Sequence, residues 1–243
     1  MPRSRVTLLS WVVAGAFALA SALVLVDRFH LLGEPPPGLD NLNLVDRMVA
    51  LAPFRQSIWP VFLWTNLLFA VGYVAAVAFA AVIAAASGRG RDLATFRALV
   101  ATGGIVGAIA SIIPIGAVQG TVWQQYCDCG FKETEVVAGL WAQIVAEDVG
   151  SWLNRAGSII LAVALFALAR DARGLLSPTL RTWTQITALA LIVWPVLATI
   201  ELIDPAFEEW IALGAGAVLV PVWAVWLGRS VDRSVDSMEA APA

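Results

Sequence analysis

The chain has 243 residues, of which 60% are hydrophobic and only 14% charged, and its mean hydropathy is +0.81. A soluble domain carries roughly 25% charged residues, so a surface this apolar must face lipid, and the length leaves no room for a separate soluble domain. The net charge of −3 hides a segregation of charge along the chain, and there is no basic stripe suited to nucleic acid.

The chain reads as an all-α polytopic membrane protein, with six transmembrane helices in one bundle and short amphipathic helices in the extracytoplasmic loops. Residues 7–26 are uncharged and, at about 20 residues, match the thickness of the hydrocarbon core. Ala18-Leu19-Ala20 resembles a signal-peptidase site, but the apolar run continues through Val26, which favours a retained span. In the loop 27–57, Pro35, Pro36 and Pro37 bar a helix. Asp40 then reads as an N-cap, and Leu42, Val45, Val49 and Ala52 recur at helical spacing until Pro53, predicting a short helix at the membrane surface.

The second span, 59–86, opens with Trp59 and Trp64 as interfacial anchors. A basic turn leads to the third span, 93–116. After a long segment, 119–150, the fourth span occupies 151–170. The fifth is 182–203, with Pro195 as a kink, and the sixth is 208–228. A polar tail, 229–243, follows. Arg3, Arg5, Arg89, Arg91, Arg97, Arg170, Arg173, Arg181, Arg229 and Arg233 all fall on one face, ten of the fifteen basic residues. By the bias of arginine and lysine toward the cytoplasm, both termini are expected there, in the inner membrane of a bacterium. The loops 27–57 and 119–150 then form an acidic extracytoplasmic cap.

Polar side chains gather in the outer half of this bundle. Asn66 and Tyr73 are seven apart and share one face of the second span, and an amide inside hydrocarbon needs a partner. Arg155 is expected about one turn below the outer surface, within reach of Glu147, Asp148, Glu201 or Asp204. Asn66, Tyr73, Glu147, Arg155 and Glu201 are therefore the expected ligand-binding set. Gly103, Gly107 and Ser111, at i, i+4 and i+8, form a helix-packing face for a neighbour in the bundle or for a partner. Cys127 and Cys129 are the only cysteines, and a bridge across one residue would make a small, reducible ring, either structural or redox-active.

Several chemistries are excluded. One histidine, His30, rules out bis-histidine haem ligation within the chain. No H-E-x-x-H and no phosphate-binding G-x-x-x-x-G-K-[ST] occur, and the single lysine, Lys132, is in a loop. No cofactor or metal site is expected, and these absences argue against an enzyme while leaving carboxylate or thiol chemistry open. The expected function is to bind or pass a small polar or amphipathic solute through an outward-facing cavity. The alternatives are a non-catalytic structural or regulatory subunit, docking a membrane partner or second copy through the glycine face, and a membrane thiol oxidoreductase using Cys127 and Cys129.

Overall fold

Long apolar runs with few helix-breaking residues leave the backbone one way to satisfy its polar groups in lipid, the α-helix. The computed structural model describes residues 4–29, 31–38, 41–42, 44–126, 133–172, 175–200 and 205–239, and these contain no strand. Six helices are long and apolar enough to cross a membrane: Arg5–Arg28, Ser57–Ala86, Ala94–Ala117, Trp141–Asp171, Pro178–Thr199 and Trp210–Arg233. The protein is an integral, multi-pass membrane protein. Its helices are α1 (Ser4–Arg28), α2 (Leu44–Ala86), α3 (Ala94–Tyr126), α4 (Glu133–Asp171), α5 (Pro178–Thr199), α6 (Pro205–Gly214) and α7 (Val220–Glu239).

Three boundaries differ from the sequence expectation. The first-loop helix does not stop at Pro53, because α2 is continuous from Leu44 through Pro53 and Pro60. Proline deletes one hydrogen bond and presses on the carbonyl four residues back, which bends a helix when the turns on both sides are helical by sequence. The fourth helix starts at Glu133, so Glu147 and Asp148 lie within it. Helix α7 runs into the expected polar tail as far as Glu239. The sixth crossing is also not one uniform helix. Ala215–Leu219 is π-helical, and the Val220 N–H bonds to the Ala215 carbonyl. Pro221 follows directly, and widening the preceding turn relieves the clash of its ring with the carbonyl of Ala217.

The helices close a ring in which α1 lies between α2 and α7, α3 between α2 and α4, and α5 between α4 and the α6–α7 crossing. The α3–α4 seam is the tightest. A Cβ on Gly157 would lie 3.2 Å from both the Gly103 carbonyl oxygen and the Gly107 nitrogen, so the two backbones meet directly. Close backbone approach lets dispersion and weak C–H hydrogen bonds hold helices together in lipid, where no hydrophobic force acts between them.

The two ends of the bundle differ. At one end, short hairpins join α2 to α3 and α4 to α5. Gly88 takes φ +64° in the first, and in the second the Ser177 hydroxyl accepts the Leu180 N–H at 3.3 Å while Pro178 opens α5. This hairpin half is solid. Phe79, Ile83, Leu93, Phe96, Leu168, Leu180 and Leu227 are fully buried. Thr7 on α1 donates to Asp232 on α7, and Trp223 on α7 donates to Thr184 on α5 at 3.2 Å. The loop half is not solid.

Candidate functional site

On α4, Glu147, Ser151, Asn154 and Ser158 recur at i, i+4, i+7 and i+11, which places them on one helical face. On α2, Phe62, Asn66, Phe69 and Tyr73 repeat the same pattern. The two faces look at each other across a cavity of about 410 Å³ in the loop half. Val24 and Asp27 of α1 and Ser111 and Pro114 of α3 complete its wall. Asp27, Ile58 and Glu147 lie nearest the loop end, and Tyr73 and Asn154 lie deepest.

Tyr73 forms the floor, held from three sides. Its Oη donates to Asn154 Oδ1 at 2.8 Å. The ring of Phe17 on α1 meets it edge-on, centroids 5.2 Å apart. On the third side α3 has no side chain at all. A Cβ on Gly107 would lie 2.6 Å from the Tyr73 ring, so the phenol occupies the space that glycine leaves.

The rest of the lining mixes apolar side chains, among them Val24, Val61, Phe62 and Phe69, with polar ones that bond within their own helices. Asn66 Nδ2 donates to the Phe62 carbonyl at 2.9 Å, which leaves the amide oxygen as an acceptor. Gln143 Nε2 donates to Glu147 Oε1 at 2.8 Å. The Ser111 hydroxyl donates to the Gly107 carbonyl at 2.9 Å. Pro114 has no N–H to give Ala110, whose residue also lines the cavity. Asp27 and Glu147 are the carboxylates of the lining, and among the described residues no Arg, Lys or His joins them.

The cavity is not isolated. Val24, Phe69, Tyr73 and Asn154 also border a second chamber of about 170 Å³, which extends to Trp194, Leu213 and the π-helical Ala215 and Gly216. Tyr73 and Ser158 border a third, apolar space of about 60 Å³ that ends against Phe79, Phe96 and Leu165. Tyr73 is common to all three, so it stands where a polar vestibule meets an apolar interior.

Of the residues singled out in the sequence, Asn66, Tyr73 and Glu147 come together in this lining, with Ser111 beside them. Arg155 does not line it. It follows Asn154 by one residue and so points about 100° away around the helix. Its guanidinium lies 5.1 Å from the ring of Trp152, which is 57% exposed on the bundle surface. Arg155 lies two residues from Gly157, which packs against Gly103 and Gly107 of α3. Gly103 and Gly107 are occupied within the chain, against α4 and against Tyr73 of α2. Glu201, Asp204, Cys127, Cys129, His30, Asp40 and Lys132 lie outside the described residues.

Asn154, Ser151, Thr65 and Asp27 were not singled out from the sequence. The signal for the first two is the polar stripe on α4, which starts inside the segment 119–150 that the sequence reads as a loop. Thr65 precedes Asn66, and Asp27 closes the apolar run of α1. Among the described residues, no group of three or more His, Cys, Asp or Glu is placed to hold a metal ion. Compared with models of protein families, with characterised proteins and with solved structures, the chain matches none.

Proposed function

We propose that the protein binds or passes a small polar or amphipathic solute through the cavity between α2 and α4. The observation that carries this reading is the group of polar side chains around Tyr73 and Asn154, lining a cavity of about 410 Å³ in the loop half, while large apolar side chains such as Phe79, Ile83 and Phe96 are buried in the hairpin half. Polar groups within a membrane domain are costly, and where they line a cavity they mark a binding site or pathway. The adjoining apolar chamber supports an amphipathic solute, whose head would sit beside Asn66 and Glu147 and whose apolar part would reach past Tyr73. The packed hairpin half supports a site open to one side, rather than a continuous pore. The charge bias supports cytoplasmic termini in a bacterial inner membrane, so that the cavity faces outward.

The test uses Ser151→Cys in a chain with serine at positions 127 and 129. A small cationic methanethiosulfonate should modify this thiol in intact membranes. A panel of amines, polyols, carboxylates and short amphiphiles is then added. Saturable slowing by one class supports the proposal. A reactive thiol that no class protects would leave the cavity a hydrated cleft without a ligand.

A further inference from the structure

At the hairpin end, the outer surface between α1 and α7 carries an open groove of about 640 Å³. Its floor is made of small residues, Ala14, Gly15 and Ala18 of α1, and its far wall of Val222 and Val225 of α7. Trp11 stands at its upper rim, 52% exposed. Arg229 and Arg233 close the same end, one turn apart on α7. Trp11 and Ala18 are seven residues apart, so the floor falls roughly 10 Å from the rim into the bilayer.

The two guanidinium groups are held at the groove. Arg229 lies 5.9 Å from the Trp11 ring centroid, and Arg233 Nε donates to the Arg229 carbonyl at 3.3 Å. Both side chains are exposed. The nearest carboxylate along α7, Asp232, accepts the Thr7 hydroxyl. Among the described residues neither arginine has a carboxylate partner.

We propose that this groove is a binding site for an anionic phospholipid, with one acyl chain along Gly15 and Ala18 and the phosphate between Arg229 and Arg233. Any lipid chain would fill an apolar groove in a bilayer, so the charge pair is what selects. Paired guanidinium groups suit phosphate oxygens in number and geometry. A tryptophan at the rim marks headgroup depth. Basic pockets between helices at the cytoplasmic side are recognised lipid sites on the same grounds.

The experiment places the full chain in phosphatidylcholine vesicles containing spin-labelled phosphatidylglycerol or spin-labelled phosphatidylcholine, and reads the motionally restricted fraction. Wild type should restrict the anionic lipid in preference to the zwitterionic one. Arg229→Gln and Arg233→Gln should each reduce that preference about fivefold, the effect of one arginine near an anionic surface. Arg97→Gln with Arg181→Gln, at the same end but outside the groove, should leave it unchanged. Gly15→Leu places its side chain in the open groove, where nothing lies within 4 Å of a Cβ, and should lower restriction with both arginines intact. Equal restriction of the two lipids overturns the proposal, as does a preference that survives the double glutamine variant. Release of the lipid by added inorganic phosphate would show a bare anion site and would also overturn it.

Discussion

Tyr73 shows how little a single residue needs in order to define a site, and how much must be arranged around it. Its phenol reaches Asn154, its edge rests on Phe17, and its ring occupies the space left by Gly107. Removing only the hydroxyl, with Tyr73→Phe, takes away one interhelical hydrogen bond next to a polar cavity. Such bonds average about 0.6 kcal/mol in membrane proteins and reach about 1.7 kcal/mol. The loss should therefore be near or below 1 kcal/mol by this scale, read from unfolding in mixed micelles. Gly107→Ala should cost more, about 1–3 kcal/mol, because its Cβ overpacks the same ring. If the two variants were equally mild, Tyr73 would not depend on the glycine.

Arg155 carries a different lesson at this scale. A charged residue inside a helix suggested a ligand group, yet one step around the helix from Asn154 takes it out of the cavity and over Trp152. Trp152→Ala would remove the ring beside the guanidinium. The expected cost is about 0.5–2 kcal/mol, the range of a cation–π contact, with cysteine reactivity in the cavity unchanged.

At the level of the helices, the crossings were legible because length and apolarity are what a bilayer requires, and both can be read directly from the sequence. The face alignments were less so. The α4 polar stripe of Glu147, Ser151, Asn154 and Ser158 was present in the sequence, but two adjacent acids hid the start of the helix and split the stripe between loop and span. Asn66 and Tyr73 were found because their spacing falls wholly within one apolar run. The π-helical turn at Ala215–Leu219 had a local signal in Pro221, but a proline alone does not say whether a helix kinks, widens or ends.

The α3–α4 seam gives a direct test at the element scale. Gly157→Leu would force its side chain into the Gly103 and Gly107 backbone and should separate the helices, with a large fall in thermal stability. Gly116→Leu, on α3 with nothing within 4 Å of its Cβ, is the matched control and should be close to neutral. Equal effects would mean that the seam does not hold the pair together.

At the level of the whole molecule, the bundle is asymmetric between its two halves. One half is filled by large apolar side chains and carries the short basic hairpins. The other half holds the cavity lined by Asn66, Tyr73, Glu147 and Asn154. That division follows from where the sequence puts its polar residues within the spans, and the charge bias predicts which way it faces. A fluorescent reporter fused after Ala243 should be bright and an alkaline phosphatase fusion at the same place inactive, as expected for a cytoplasmic C-terminus. The reverse result would turn the cavity toward the cytoplasm and change the side from which a solute enters.

The central claim is that water and polar solutes reach Tyr73 from the loop side, and that the hairpin half beyond Ala76 is closed to them. The most direct measurement is a ladder of single cysteines along α2, in a chain with serine at positions 127 and 129, exposed in intact cells to a membrane-impermeant thiol reagent. Thr65→Cys, Asn66→Cys and Phe69→Cys should react, and Ala76→Cys, Ala80→Cys and Ile83→Cys should stay silent. Silence at positions 65 and 66, or reaction continuing through 80 and 83, would contradict the account.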